Sequence, residues 1–352
     1  MRDVAVVGFA QRQMQNFDGS PQCVELLVPL FAECYEQTGW TRKDVGFWCS
    51  GSSDYLAGRA FSFVSAIDSI GVLPPVNESH VEMDAAWALY EAWLKIQTGE
   101  VDTAIVFGFG KASAGVLRRT LALQLDPYTM TPLWPDTVSL AALQARLGID
   151  AGQWDESAMA EVVNRSLTDA EKNEYAIRAG GSTVEDLLAR PMFADPLRKH
   201  DCAPVTDGAA AIVLATGDRA HEVRERPAWI TGLSTFSDGL QLNTRDLTRS
   251  ESAARAAAAL GGLDGVEIAE LHAPFSHQEL ILRKELGLAD DVRLNPSGGP
   301  LAGNPMFTGG AIRIGEAARR IWDGTADKVL GHATSGPALQ QNLVCVMEGR
   351  NN

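Results

Sequence analysis

Histidine residues at the ends of two predicted strands are the first candidates for chemistry in this sequence. His272 ends the predicted strand 268–272, and His332 follows the predicted strand 328–331. An imidazole has an ordinary pKa of about 6.5, so either side chain can accept a proton from a hydroxyl group or donate a hydrogen bond to a carbonyl oxygen. These strand ends therefore predict a site for proton transfer or oxygen binding.

Each of these polar residues also has a structural interpretation. His272 can instead pack and hydrogen-bond within the floor of a cleft, and both interpretations stay open. Asp84 opens the predicted helix 84–97, where a carboxylate is favoured as an N-terminal cap. His277 lies beside Gln278 and Glu279 and is interpreted as a solvated residue at the start of a helix.

Two glycine-containing turns are candidates for contacts with a substrate. Gly298 and Gly299 end the segment Asn-Pro-Ser-Gly-Gly, and Ser335 and Gly336 follow the strand that carries His332. Glycine permits positive φ angles and close approach of the backbone, which suits a turn that lines a cleft. A tight structural turn is the alternative for Gly298 and Gly299.

The elements that position these residues occur twice along the chain. Each passage has the order strand, helix, strand, helix, strand, and similar segments, TGEVDTAIVFG and DGTADKVLG, precede and form its last strand. A duplicated α/β unit is therefore predicted. Its predicted elements span residues 4–10, 24–37, 45–49, 84–97 and 103–107, and then 228–233, 252–260, 268–272, 310–322 and 328–331.

This duplication divides the chain into two predicted halves. Residues 1–217 form the N-terminal half, which the strand-like segment DGAAAIVLA from Asp207 completes, and residues 218–352 form the C-terminal half. An insertion at about 117–200 is too long for a passive connection. We expect this loop domain to cap a site where the halves meet.

Composition narrows the classes of partner and the cellular location. The formal charge of −15 is spread along the chain and disfavours nucleic acid and anionic membranes. Five scattered cysteines without a C-x-x-C pair argue against a disulfide framework and a zinc site, so no metal is expected. The chain has no apolar run of transmembrane length and starts without a secretory signal pattern, which predicts a soluble cytoplasmic protein.

Two long motifs resemble the thiolase superfamily, specifically its sterol-carrier-protein-type or lipid-transfer branch. They are CAPVTDGAAAIVL from Cys202 and NPSGGPLAGNP from Asn295, and the resemblance covers essentially the full length. It implies the thiolase fold, an α/β architecture. In that fold, two duplicated βαβαβ halves form an αβαβα layered sandwich with an inserted loop domain.

The residues that match the catalytic positions of this family depart from its pattern. The family carries a nucleophilic cysteine at a helix start, and Ala85 takes that position here. Asn304 replaces the histidine of the family's Gly-His-Pro motif, and Ser335-Gly336-Pro337 lacks the cysteine of its C-x-G loop. The resemblance therefore implies a chain that is not a competent thiolase or acyltransferase alone.

The remaining polar residues imply a different reaction on the same class of substrate. His272 takes the place of a family residue that binds the thioester oxygen or its water. The resemblance implies a subunit of an acyl-CoA retro-aldolase, a carbon–carbon lyase acting on β-hydroxyacyl-CoA side chains of steroids or lipids. Coenzyme A enters as part of the substrate, and no other cofactor is expected.

The resemblance also implies partners and leaves alternatives. A thiolase-like dimer partner, homologous or identical, is expected, together with an OB-fold/zinc-ribbon protein. One alternative is a catalytically silent structural or acyl-CoA/lipid-binding subunit that pairs with an active thiolase-like paralogue. Another is a free lipid or acyl-CoA carrier, which uses the same pocket and predicts binding by the isolated chain.

Overall fold

The computed structural model describes residues 2–15, 23–57 and 60–349. Its strands are β1 (Val4–Met14), β2 (Phe47–Gly51), β3 (Glu78–Val81), β4 (Thr103–Lys111), β5 (Met192–Ala194), β6 (Leu197–Arg198), β7 (Val205–Thr216), β8 (Ala228–Ser237), β9 (Ile268–Glu270), β10 (Arg293–Leu294), β11 (Asn304–Pro305), β12 (Lys328–Ser335) and β13 (Gln341–Gly349).

The helices alternate with these strands. They are α1 (Cys23–Thr38), α2 (Asp54–Ala57), α3 (Ser62–Ile70), α4 (Ala85–Gln97), α5 (Leu117–Ala122), α6 (Thr137–Asp150), α7 (Glu156–Asp169), α8 (Val184–Leu188), α9 (Gly217–Val223), α10 (Glu251–Ala259), α11 (Ser276–Glu285), α12 (Gly299–Ala302) and α13 (Gly309–Trp322). No helix in the described ranges is both long and apolar enough to cross a membrane.

The main sheet contains the same strand order twice. From its centre outward, one side runs β1, β7, β4, β2, β3 and the other runs β8, β13, β12, β9, β10. The two sides join where β1 pairs with β8, at Ala5 opposite Trp229 and Val6 opposite Ala228. In each side one strand, β2 or β9, is parallel to both neighbours. The parallel strands bring their carboxyl ends to one edge, where ligand sites usually form.

Helices cover both faces of each side of the sheet. Helices α4 and α13 lie in a shared core between the two sides, and Val4 and Val6 of β1 face this core. Ala5 and Val7 face the other way, toward α1 and α3. Helices α10 and α11 cover the outer face of the second side. The αβαβα layered thiolase architecture predicted from the sequence is therefore confirmed.

The segment between β4 and β7 packs over the second half. It contains helices α5 to α8 and the β5–β6 hairpin. Arg165 of α7 forms an ion pair of 2.6 Å with Glu279 of α11, and Met159 packs in a cluster with Phe275. The insertion is thereby fixed against the residues that follow β9.

Three sequence predictions about the histidines need correction. Strand β9 ends at Glu270, so His272 lies two residues beyond it. His332 lies within β12, because β12 continues to Ser335 in register with β13. His277 is fully buried rather than solvated, since α6 supplies Gln144 as its partner at 3.1 Å.

Candidate active site

A cavity of about 890 Å³ lies at the carboxyl edge of the parallel strands. Its wall includes residues next to β9 and β12, residues at the starts of α4 and α13, and side chains of the insertion. Residues of both halves and of the insertion therefore contribute to the wall of one cavity. Cavities of this size hold small-molecule ligands in many proteins.

His272 and Asn304 form the polar floor of this cavity. His272 Nε2 lies 2.9 Å from Asn304 Oδ1, and both residues line the cavity. Gly309, the first residue of α13, permits this contact, because a Cβ atom there would lie 2.5 Å from Asn304 Oδ1 and 2.6 Å from His272 Nε2. Two elements that are separate in the sequence thus supply one hydrogen-bonded pair.

The hydrogen bonds of His272 define its tautomer. The Thr334 amide donates to Nδ1 at 3.3 Å, so Nδ1 carries the lone pair and Nε2–H donates to Asn304 Oδ1. Burial lowers the pKa of His272 to about 4. The ring is therefore neutral near pH 7, and its two nitrogens are both engaged.

His332 contacts the backbone of His272 and does not line the cavity. Its Nδ1 accepts the backbone amide of His272 at 3.3 Å, and its Nε2 donates to Asn342 Oδ1 at 2.9 Å. The side chain is fully buried, and burial lowers its pKa to about 3. The prediction that His332 is catalytic is therefore corrected: it positions the backbone of His272.

Three buried neutral histidines make stability depend on pH. Burial holds the pKa of His272 at about 4 and those of His277 and His332 at about 3. An unfolded histidine titrates near pH 6.5, so the unfolded chain binds more protons below that pH and stability falls as pH falls toward 4. Between pH 6 and 4, the free energy of unfolding of the His277→Gln variant should fall less steeply with decreasing pH than that of the wild type. The difference in slope should be about 1.4 kcal/mol per pH unit.

Urea unfolding at several pH values measures this effect. His221→Gln is the matched control, because His221 is exposed on α9. Its slope should equal that of the wild type. An unchanged slope for His277→Gln would contradict the assignment of a neutral buried ring.

Asp84 joins the starts of the two central helices. Its carboxylate accepts the amide of Ala86 in α4 at 2.9 Å and the amides of Gly310 and Ala311 in α13 at 3.0 and 3.1 Å. Burial raises the pKa of Asp84, and these amides oppose the rise. The capping role predicted from sequence is correct for α4 and extends to α13.

Ala85 is the first residue of α4, but it does not line the cavity. Its side chain is fully buried and its amide donates to the carbonyl of Phe307 at 2.9 Å. A Cβ atom at Gly108 of β4 would lie 2.9 Å from the Ala85 Cβ atom, so the helix start packs tightly on the sheet. Met83 and Asp84 line the cavity at this point instead.

Comparison with known proteins gives relatives of one kind, although no family model matches the chain. An acetyl-CoA acetyltransferase of Methanothermobacter thermautotrophicus is 28% identical over 92% of this chain and 91% of that protein. Sterol carrier protein 2 of Gallus gallus is 23% identical over 77% of this chain and 56% of that protein. The chain is similar to proteins of the thiolase superfamily over most of its length.

Solved structures share the fold of this chain. A structure described as an Ltp2-ChsH2(DUF35) aldolase has a TM-score of 0.79 at 18% identity, covering 99% of this chain and 98% of that chain. Human mitochondrial 3-ketoacyl-CoA thiolase has a TM-score of 0.76 at 15% identity, covering 99% of each chain. These similarities show the fold of the thiolase-like chain. Its reaction has to be inferred from the residues of its own site.

A cysteine at residue 85 is expected to stay inert in this thiolase-like chain. The Ala85→Cys side chain would face β2 and β4, and the Asp84 carboxylate already occupies amides at both helix starts. We therefore expect no acylation by acetyl-CoA and no alkylation by iodoacetamide until the protein is unfolded. Intact-mass spectrometry measures both, and acylation of the folded variant would show that residue 85 reaches substrate.

The predicted glycine turns have different locations. Ser335 and Gly336 line the cavity, and Gly336 has a φ of 73°. Gly298 and Gly299 are not among the cavity residues, so their predicted substrate contact is corrected. They have φ angles of 91° and 58° and close a turn whose carbonyl at Gly298 accepts the Ser166 hydroxyl.

Cys202 is the cysteine that borders the cavity within the described residues. It precedes β7, and its thiol donates a long 3.7 Å contact to the Arg198 carbonyl. Burial raises the pKa of Cys202 to about 12, which disfavours the thiolate. No group of three metal-binding side chains is present in the described part of the chain.

Basic residues of the insertion reach the cavity wall and were not predicted from the sequence. Arg118, Arg178 and Lys199 line the cavity although they lie in separate segments. Arg178 donates to the carbonyl of Cys202 at 2.9 Å, and Arg118 stacks over the ring of Phe193. Arg118 also forms an ion pair of 3.2 Å with Asp136, and Arg178 and Lys199 favour an anionic ligand at the cavity of a chain with a net charge of −15.

Proposed function

We propose that the cavity binds an acyl-CoA thioester and that the chain is a subunit of a carbon–carbon lyase. The reaction is retro-aldol cleavage of a β-hydroxyacyl-CoA derived from a steroid or lipid side chain, in the cytoplasm. The observation that carries this proposal is the neutral His272–Asn304 pair on the cavity floor. Such chemistry needs an oxygen site for a thioester enolate and does not need a cysteine.

Asn304 is the group that we assign to the thioester oxygen. His272 Nε2–H holds Asn304 Oδ1, so the amide nitrogen of Asn304 keeps two hydrogens for a ligand. A fixed donor at an oxygen that becomes negatively charged lowers the barrier to enolate formation. His272 thereby acts as a positioning residue, which the geometry favours over the role of general base.

A separate group must take the proton of the β-hydroxyl. With a pKa of about 4 and both nitrogens engaged, His272 is a poor acceptor. Asp84 accepts three amides. Glu82 lines the same cavity, accepts the backbone amide of Asp54 at 3.0 Å and lies 3.6 Å from His80 Nε2. We assign the proton transfer to Glu82.

The proposed step balances without an oxidant or a reductant. The β-hydroxyl gives its proton to Glu82, the Cα–Cβ bond breaks, and the β-carbon becomes a ketone or aldehyde. The electron pair passes to the thioester as an enolate, and the proton then returns to Cα. Arg178 and Lys199 suit the phosphate groups of coenzyme A.

Partners belong to this proposal as well. Strand β3 forms the outer edge of the first half of the sheet, where a second thiolase-like chain can add its own edge strand. The name of the similar structure, Ltp2-ChsH2(DUF35) aldolase, joins two protein names. This supports an OB-fold/zinc-ribbon partner for the present chain.

A second candidate is a catalytically silent acyl-CoA-binding subunit paired with an active paralogue. The engagement of both His272 nitrogens favours it, because no strong base remains in the pair. The two candidates make different predictions for turnover and share the prediction that a thioester binds in the cavity.

Reconstitution tests the lyase. The chain is purified alone and together with a thiolase-like paralogue and an OB-fold/zinc-ribbon protein, and cleavage of β-hydroxyacyl-CoA is followed by mass spectrometry. Cleavage that is lost in Glu82→Gln and shows no inflection near pH 6.5 from His272 is the expected result. Turnover that is indifferent to Glu82 and Asn304 would support the silent subunit, and thioester binding without turnover in any combination would support a carrier.

A further inference from the structure

His80 is a histidine beside Glu82, the residue to which we assign the proton transfer. His80 Nε2 lies 3.6 Å from Glu82 Oε2, and the side chain of His80 is 15% exposed against 53% for that of Glu82. His80 lies in β3 and Glu82 follows Val81, the last residue of that strand, so the two side chains project from the same face. Glu82 lines the cavity and His80 does not. Any effect of His80 on a substrate must therefore pass through Glu82.

Two contacts fix the orientation of the His80 ring. Ser50 of β2 lies opposite His80 in the parallel pairing of β2 with β3, and its Oγ lies 2.8 Å from His80 Nδ1. The ring of Phe63 stacks on the imidazole, with centroids 5.0 Å apart and planes inclined by 20°. With Nδ1 held by Ser50, Nε2 is the nitrogen that faces Glu82.

His80 Nε2 is buried and has no hydrogen-bond partner among the described residues. Its separation from Glu82 Oε2 is longer than a hydrogen bond, and an approach of about 0.5 Å would form one. The carboxylate of Asp54, whose own amide donates to Glu82, already accepts the amides of Phe61 and Ser62 at 2.8 Å each. Glu82 is therefore the acceptor that this nitrogen lacks.

The charge of Glu82 favours one tautomer of His80. A hydrogen on Nε2 points toward the carboxylate, whereas a lone pair on Nε2 would be repelled by it. In the favoured tautomer Nδ1 accepts the Ser50 hydroxyl. The Asp54 amide holds Glu82 Oε1, so a donor at Oε2 would fix the plane of the carboxylate. Each of these oxygens has two lone pairs, and one on each stays free for a proton.

We propose that His80 is a positioning residue for the proton transfer. Its Nε2–H donates to Glu82 Oε2 and fixes the carboxylate in the orientation that accepts the proton of the β-hydroxyl. This inference rests on the proposed assignment of that proton to Glu82. A carboxylate that is already oriented needs no rearrangement when the substrate arrives, which raises kcat.

Kinetics of the reconstituted complex test the inference. His80→Phe keeps a ring that can stack on Phe63 and removes both nitrogens. It is expected to lower kcat about 10- to 100-fold, the usual effect of one hydrogen bond to a charged group, with little change in KM. His80→Gln places an amide nitrogen near the position of Nε2 and should regain most of the loss. His221→Phe is the matched control, because His221 is exposed beside Trp229, and its kcat should equal that of the wild type.

A double variant tests whether His80 acts through Glu82. Adding His80→Phe to Glu82→Gln should lower kcat no further than Glu82→Gln alone. Losses that multiply would mean that His80 acts independently of Glu82, which overturns the inference. Cleavage that is lost in Glu82→Gln and unchanged in His80→Phe also overturns it and leaves the proposed function intact.

Nitrogen NMR of the purified chain with ¹⁵N-labelled histidine tests the tautomer without turnover. The signals of His80 are those that disappear in His80→Phe, and we expect the tautomer with the hydrogen on Nε2. The tautomer with the hydrogen on Nδ1 overturns the inference whether or not the complex cleaves substrate. A wild-type complex that cleaves no β-hydroxyacyl-CoA overturns the lyase and, with it, the role of His80.

Discussion

Replacing Asn304 by alanine is expected to lower kcat for carbon–carbon cleavage about 10²–10³-fold, the usual effect of removing one oxyanion donor. The Asn304 amide nitrogen is the free donor of the pair, because its oxygen is occupied by His272. Since the donor acts mainly as charge develops on the enolate, KM should change much less than kcat. Steady-state kinetics of the reconstituted complex give both values.

Gln124→Ala serves as the control, because Gln124 places an amide on the cavity wall from the insertion side. Its kcat should stay within about threefold of the wild type, as expected for a contact outside the reacting atoms. Equal losses for Gln124→Ala and Asn304→Ala would remove the case for an oxygen donor at residue 304.

His272 allows a second test of the same assignment. His272→Ala removes the group that orients the Asn304 amide, so we expect a smaller fall in kcat than for Asn304→Ala. The double exchange His272→Asn with Asn304→His keeps one imidazole and one amide in contact and should recover part of the activity. A double variant whose loss in kcat equals the product of the losses in the two single variants His272→Asn and Asn304→His would show that the two side chains act independently.

The layered fold follows from patterns that the sequence displays directly. Strands such as β7 are buried on both faces, so they appear as continuous apolar runs, and the repeated segments mark the duplication. The residues at which β9 and β12 end could not be predicted correctly from the sequence. Their lengths depend on pairing with distant strands, which put His332 inside β12 and His272 outside β9.

The candidate site could be predicted in its residue types but not in its contacts. His272, Asn304, Ser335 and Gly336 were identified from sequence, and the structure places them on one cavity wall. The 2.9 Å contact between His272 and Asn304 was not visible, because it depends on the turn before α13. Likewise, the burial of His277 results from the insertion, whose packing has no local sequence signal.

Asp84 carries the largest expected effect on stability. Asp84→Ala leaves the amides of Ala86, Gly310 and Ala311 without an acceptor in a fully buried place. One exposed cap contributes about 1 kcal/mol, and each unsatisfied buried amide costs about 1–3 kcal/mol. We expect a loss of about 3 kcal/mol in the free energy of unfolding, measured by urea denaturation at pH 7.

Asp155→Ala is the matched control for this loss. Asp155 is also an N-terminal cap, but it is exposed and accepts one amide, from Ala158 at 2.8 Å. Its replacement should cost about 1 kcal/mol. If both variants lost the same stability, the cost of burying the Asp84 carboxylate would offset its additional amide bonds. A larger loss for Asp84→Ala would instead mean that the carboxylate holds the two central helices together at the point where a thiolase requires a thiolate.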